Sequence, residues 1–246
     1  MCAELDTALG RGQRVPVTRK RRIPVGRYLW GVVLKFLIWL LLRMQVRGEE
    51  NLPATGAGIV YYNHIHWLDP AIICGTMRRY AVPLTKIEAS RWPFVGWMLR
   101  GYHVIFIRRG TVDRTALQAT WDVLHDGDIS VISPEGTRSR DGRLHRAKEG
   151  LAFIARAVRN IWLLPCAVTG TPAFSWSLPQ VFKRPRVTLT YGRPFRFRWP
   201  EGQVSREVMR QMTDEAMVQL ANLLPPEMRG DYADCDPAQH QWLEYL

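Results

Sequence analysis

The first apolar block along the chain is 28–42, reading YLWGVVLKFLIWLLL, broken only by Lys35 and flanked by Arg27 and Arg43. A spanning helix needs roughly 20 apolar residues, and this run is shorter. No small-residue cleavage site follows it, the next residues being Met44-Gln45-Val46-Arg47. The pattern predicts a helix lying in the headgroup layer of a membrane, with Lys35 reaching towards water and the arginines meeting lipid phosphates. A single span and an ordinary core helix are the alternatives.

After Gly48 short apolar runs alternate with helical periodicities. Strands are expected at 58–62, 103–107, 129–133, 162–168 and 186–191. Helices are expected from Asp69-Pro70 through Tyr80, over 113–124, over 150–158 and over 204–224. Asp is a strong N-cap and Pro suits the first helical position, so Asp69-Pro70 reads as a helix start. In the last helix Val208, Met212, Ala216 and Leu220 recur every four residues and form one apolar face. The alternation predicts an α/β fold: a mixed, largely parallel sheet flanked by helices, with an N-terminal membrane-associating helix ahead of it. In such sheets ligands collect at the carboxyl ends of the strands. The expected organisation is a disordered basic segment at 1–22, an interfacial helical anchor at 23–46 and an α/β domain at 47–246.

Hydrophobic residues make up 47% of 246 residues, enough for a core without metal or disulfide support. The formal charge of +12 implies an acidic partner. Residues 1–27 hold seven Lys/Arg against two acids, densest at Arg19-Lys20-Arg21-Arg22. Each such cation contributes about 1 kcal/mol near an anionic leaflet. The remaining basic residues are dispersed and no nucleic-acid-binding motif is present, so an anionic membrane surface is the expected partner and nucleic acid is not. Cys2, Cys74, Cys166 and Cys235 have no paired spacing, which argues against a zinc ribbon, a CxxC redox site or a disulfide framework. Cys74 and Cys166 lie in apolar runs and read as core residues, consistent with the reducing, cytoplasmic face of the membrane.

Two polar motifs follow predicted strands. In Asn63-His64-Ile65-His66-Trp67-Leu68-Asp69-Pro70, His64 and Asp69 are five residues apart across a strand-to-helix turn. A carboxylate that orients a histidine makes a general base suited to neutral pH. No Ser or Cys nucleophile accompanies the pair, so its natural role is to deprotonate a substrate hydroxyl. Three other roles compete. Asp69 can cap its helix, His64 can be a satisfied core histidine, and His64 with His66 can form a metal pair, although no third ligand cluster is evident. The second motif, Ser133-Pro134-Glu135-Gly136-Thr137-Arg138-Ser139-Arg140, gathers a carboxylate, a glycine, hydroxyls and two guanidinium groups. Such a set suits phosphate recognition; a polar turn with solvated arginines is the alternative.

As a pair, Asn-His-x4-Asp and, about seventy residues later, Pro-Glu-Gly-Thr-Arg-Ser resemble the glycerolipid acyltransferase family that includes the 1-acylglycerol-3-phosphate acyltransferases. The resemblance covers roughly residues 46–230. Lys86, Pro93 and Gly96, the run Gly101 to Arg109, Lys148-Glu149-Gly150 and Leu164-Pro165-Cys166-Ala167-Val168 are similar to further blocks of that family. The resemblance implies that His64 is the base and Asp69 its orienter. Arg109 and Arg138 would hold the acceptor phosphate with help from Lys86, Glu135 and Gly136 would shape the acceptor site, and Thr137 and Ser139 would contribute less.

The implied reaction moves a fatty acyl group from acyl-CoA or acyl carrier protein to the sn-2 hydroxyl of 1-acyl-glycerol-3-phosphate, giving phosphatidic acid. It proceeds without a covalent enzyme intermediate, cofactor or metal, on the cytoplasmic face of the cell membrane as a monotopic or peripheral protein. Backbone N–H groups near Gly136 would steady the tetrahedral oxyanion. Arg108 stands where the family usually has an acid and Ser133 where it often has an aromatic residue, and both bear on which acceptor is used. Another lysophospholipid, a glycolipid or an aminoacyl lipid is the alternative acceptor. A basic membrane-binding protein with inert motifs is the alternative of another class.

Overall fold

The structure is a computed structural model that describes residues 25–108, 110, 112–174 and 183–246. The expected basic segment 1–22 lies outside the described residues. The apolar block forms helix α1, Val25–Leu41. None of the helices among the described residues is long and apolar enough to cross a membrane. The expected helical anchor at 23–46 is too long at its end, because Arg43–Arg47 is strand β1. The alternation Arg-Met-Gln-Val-Arg favours a strand with one side wet: Met44 and Val46 turn to the core while Arg43, Gln45 and Arg47 are exposed.

From there the chain runs β2 (Gly58–Tyr62), α2 (Asp69–Thr76), β3 (Ala81–Lys86), α3 (Pro93–Tyr102), β4 (Ile105–Ile107), α4 (Arg114–His125) and β5 (Ile129–Ile132). It continues through α5 (Gly150–Ala157), β6 (Trp162–Thr169), β7 (Arg186–Tyr191), β8 (Phe195–Phe197), α6 (Arg206–Asn222) and β9 (Leu243–Tyr245). The sheet order is β1-β7-β6-β2-β5-β3-β4, with β8 beside β6 and β9 beside β8. β2, β3, β4, β5 and β6 run parallel, whereas β7 and β8 are antiparallel to β6. This is the mixed, mostly parallel α/β sheet that the strand–helix alternation predicts.

The two-residue period of a strand sends alternate side chains to opposite faces. In β2, Ile59 and Tyr61 enter one core with Leu163, Ala167 and the buried residues of α5 and α6. Val60 and Tyr62 enter the other with Leu164, Cys166, Ile72 and Ile73, where Ile38 and Leu42 at the end of α1 also pack. Burying one such aliphatic or aromatic side chain stabilises by about 1.5–3 kcal/mol, so helices on both faces hold the central strands in register. On α6, Met212, Ala216 and Leu220 are buried and Val208 packs at the edge of the same core, along the expected face. Cys74 and Cys166 are buried as expected, and burial pushes the Cys74 thiol up to about 12.

Several boundaries differ from expectation. The helix opened by Asp69-Pro70 stops at Thr76, where Met77 turns extended, and β3 begins at Ala81. The strand expected at 103–107 begins at Ile105, because His103 takes a left-handed conformation that ends α3. Its N–H bonds back to Arg100 O at 3.0 Å. β3, α3, β8 and β9 are additions to the expected elements.

Candidate functional site

The parallel strands all point their carboxyl ends to one edge of the sheet, and register places the polar motifs there together. Tyr61 sits opposite Ile132 and Tyr62 opposite Cys166. The Asn63-His64 turn therefore lies between the Pro134-Glu135 turn and the end of β6. β3 continues three residues past its last partner on β5, Pro83↔Val131, and carries Lys86 beside Ile107 at the end of β4. Lys86 is thus at the same edge as His64. Arg109, the other expected phosphate ligand beyond β4, lies outside the described residues.

The β2–α2 turn is organised by Asp69, which is fully buried. Its Oδ2 accepts from Nδ1 of His64 at 3.0 Å, from the Ile65 N–H at 2.8 Å and from the His66 N–H at 2.6 Å. The carboxylate therefore points back over the turn. The position preceding the helix is Leu68, with no side-chain cap, so capping α2 is not what this aspartate does. An acceptor at Nδ1 places the ring proton on that nitrogen and leaves Nε2 with its lone pair, the tautomer a base requires. His64 is only 7% exposed and its ring meets Tyr62 edge-on at 5.6 Å. His66 lies further out. Burial lowers its pKa first; Asp69 opposes this, while Arg138 and His64 lower it further. Among the described residues no three His, Cys, Asp or Glu side chains converge as a metal-ligand set.

Glu135 turns inward. Its Oε2 accepts from the His64 N–H and its Oε1 from the His145 N–H, both at 3.0 Å. Burial raises its pKa more than these two bonds lower it. Glu135 is expected to shape the acceptor site, and here both of its oxygens are engaged by backbone N–H groups, so that the side chain braces two loops against each other. Ser139 is likewise inward, its N–H donating to His64 O at 2.8 Å and its hydroxyl to Asp141 at 2.8 Å. The Arg143 N–H, the Ser139 hydroxyl and His145 together hold the Asp141 carboxyl down to about 2. Thr137 and Arg138 are exposed at the tip.

Gly136 adopts a left-handed backbone with φ of 71°, and an added Cβ would stand 3.2 Å from the Lys148 side chain. Its N–H is spent on Ser133 O at 3.1 Å, so this particular donor is not free for an oxyanion. The N–H groups of Thr137 and Arg138 have no acceptor among the described residues.

Asn63 was not among the expected site residues, although it opens the first motif. Its side-chain amide donates to Val168 O at 2.9 Å and accepts from the Val168 N–H at 2.8 Å, continuing the β2–β6 ladder with a side chain. Asp141 and His145 are further residues of this loop not among the expected ones; their signal is the Asp141-Gly142 turn and the four-residue spacing that brings them to 2.9 Å.

Comparison with known proteins places this constellation. Residues 43–169 match the family described as Acyltransferase. A lyso-ornithine lipid O-acyltransferase of Rhodobacter capsulatus is 39% identical over 113 residues, covering 45% of this chain and 39% of the relative. A 1-acyl-sn-glycerol-3-phosphate acyltransferase of Borreliella burgdorferi is 36% identical over 121 residues, covering 48% of each. The matches to these relatives span about half of their length or less. The crystal structure of the 1-acyl-sn-glycerophosphate acyltransferase PlsC from Thermotoga maritima superposes with a TM-score of 0.61 at 26% identity, covering 85% of this chain and 84% of that one. The family match takes in β1 through β6 and with them both polar turns, and on that ground this chain belongs to the Acyltransferase family, the glycerolipid acyltransferases.

Proposed function

We propose that the chain is an O-acyltransferase that moves a fatty acyl group from acyl-CoA or acyl carrier protein to the sn-2 hydroxyl of 1-acyl-glycerol-3-phosphate. The observation that carries this reading is the His64–Asp69 pair, with Nδ1 held at 3.0 Å and Nε2 left as the basic nitrogen. His64 takes the proton of the acceptor hydroxyl as that oxygen attacks the thioester carbonyl. Asp69 steadies the imidazolium that forms. The tetrahedral intermediate then collapses, the C–S bond breaks, and the proton on Nε2 passes to the departing thiolate.

A thioester is reactive enough that positioning an alcohol beside it suffices, and proximity is worth roughly 7–11 kcal/mol when the geometry is good. The N–H groups of Thr137 and Arg138 are the donors left on the second turn for the oxyanion. Arg138, with Lys86 and Arg109, supplies the cations for the acceptor phosphate. Neither a metal nor a cofactor enters this chemistry. The membrane surface is the place of action, with α1 lying in the headgroup layer of the cytoplasmic leaflet.

A second acceptor is favoured by the similarity to the lyso-ornithine lipid O-acyltransferase and by Arg108 at the end of β4, which is exposed and adds a cation to this edge. Transfer of radiolabelled oleate from oleoyl-CoA, and from the matching acyl carrier protein, to lysophosphatidic acid, lyso-ornithine lipid and lysophosphatidylglycerol tests both readings. Turnover on lysophosphatidic acid that His64→Ala removes is the expected result. Exclusive use of lyso-ornithine lipid would transfer the assignment to that acceptor, and no turnover with any of them would defeat it.

A further inference from the structure

We propose that α3 docks into the lipid bilayer alongside α1 through Trp92, Phe94 and Trp97, so that the bilayer footprint reaches the Lys86 corner of the candidate site. This rests on the membrane-surface reading above and adds a second inserting element to it.

Ten of the twelve large hydrophobic side chains exposed among the described residues belong to α1 or to the start of α3. Exposed apolar residues scattered singly are ordinary, but a contiguous patch of them marks an interaction surface. On α1 the exposed set is Tyr28, Leu29, Val32, Val33, Phe36, Trp39 and Leu40, which keeps to the outward side of a 3.6-residue repeat while Leu34, Ile38 and Leu41 pack inward. On α3 Phe94 is 65% exposed and Trp97 56%, with Trp92 at 43% just before the helix.

The two helices are locked side by side. Trp30 and Trp97 meet edge to face with ring centres 4.7 Å apart, and Gly101 gives Trp30 its room, since a Cβ there would stand 2.3 Å from the indole nitrogen. The exposed sides of the two helices are therefore one surface.

Charge identifies what that surface meets. Neither α1 nor α3 carries an acid. Arg91 and Arg100 flank the α3 aromatics, both exposed. Lys35, Arg43 and Arg184 line a cleft of about 390 Å³ against the end of α1. An apolar, tryptophan-bearing band with cations at its borders matches the headgroup layer of an anionic leaflet. Lys86 connects this band to the site, its Nζ lying 5.3 Å from the centre of the Trp92 ring. An acceptor phosphate at Lys86 would then sit at headgroup depth while its acyl chain stays among the lipids.

The test is co-sedimentation of the full chain with vesicles of phosphatidylcholine and phosphatidylglycerol, comparing wild type with Phe94→Ser, Phe94→Ser/Trp97→Ser and, on α1, Phe36→Ser. Each lost ring should lower the partition coefficient about tenfold, on α3 as on α1. Wild-type binding by the two α3 variants, with loss only in Phe36→Ser, would overturn the proposal, as would a wild type that ignores the vesicles. Trp97 packs on Trp30, so thermal melts accompany the double variant; Phe94, which is 65% exposed and stacks at 6.0 Å on the Trp97 ring, gives the answer alone if the double variant melts early. The vesicle assay needs no turnover, so a failed acyl-transfer assay and a failed docking surface are separate results.

Discussion

Glu135 holds the backbone of His64 from 71 residues away: the His64 N–H donates to Glu135 Oε2 at 3.0 Å, while Oε1 takes the His145 N–H. The His64 turn and the turn at 134–139 are thereby tied together, with the carboxylate between them and only 5% exposed. Under the proposed function, a residue expected to shape the acceptor site does so by fixing the distance between the two turns.

Glu135→Gln should therefore weaken the fold as well as the chemistry. An amide keeps one acceptor and turns an NH2 group towards the other backbone N–H, costing about 1–3 kcal/mol. Burial raises the Glu135 pKa above its usual 4.5. A carboxyl raised in the folded state contributes stability that is full below the unfolded value and is lost as pH rises through the folded value. The stability advantage of wild type over Glu135→Gln should shrink as pH rises from about 4.5 towards neutrality. Melting both proteins across that range decides it; an advantage that grows with pH would mean that the two N–H bonds outweigh desolvation.

His64→Ala and Asp69→Asn should be nearly as damaging together as apart. Removing a general base costs about 10²–10⁴ in rate, and an orienting carboxylate changed to an amide costs on the order of 10³–10⁴ by misplacing the tautomer. Because Asp69 acts through His64, the double variant should lose little beyond His64→Ala. The measurement is kcat for the four proteins of the cycle. Additive losses would show Asp69 acting independently of the ring, through the Ile65 and His66 N–H groups that it also holds.

What could be read from the sequence was local. A five-residue spacing across one turn let His64 and Asp69 be paired, and β7, with its alternating Arg186–Tyr191 pattern, stands where expected. α3 was not legible because Phe94 and Trp97, its bulkiest apolar residues near the start, face outward and Gly96 and Gly101 sit within it, which leaves a weak inward stripe and low helix propensity. β3 hides behind Pro83 and two polar residues at its end, and β8 and β9 are three residues each, too short for any period to show. The inward turn of Glu135 and the bond from Gly136 N–H to Ser133 depend on how two distant loops meet and on a left-handed glycine, neither of which residue type specifies.

Arg138→Ala should raise the KM for a phosphate-bearing acceptor and leave the acyl donor KM nearly unchanged. A charge-assisted contact of this type is worth about 1.5–3 kcal/mol, or roughly 10- to 150-fold in acceptor affinity. The same change should move His66. Its pKa lies below the ordinary 6.5, chiefly through burial, with the Arg138 cation lowering it further. Taking the cation away should shift the His66 titration upward, seen by NMR of the ring protons. An unmoved His66 would place Arg138 away from the turn, and an unmoved acceptor KM would remove it from the phosphate site.

Asn63→Ala tests whether the end of β2 is held by a side chain. Asn63 is 2% exposed and makes both of its bonds to the Val168 peptide, so alanine leaves a buried N–H and a buried carbonyl without partners. At about 1–3 kcal/mol for each of the two orphaned groups, the loss should fall at about 2–6 kcal/mol in denaturant unfolding. Asn63→Asp should not rescue it, since one carboxylate oxygen can take the Val168 N–H while the other faces the Val168 carbonyl. Well below its melting temperature the alanine variant should also turn over more slowly than wild type, because His64 is the next residue and its position depends on where the strand stops. A loss under about 0.5 kcal/mol, within the range of an ordinary surface change, would mean that the strand end is held by its backbone ladder alone.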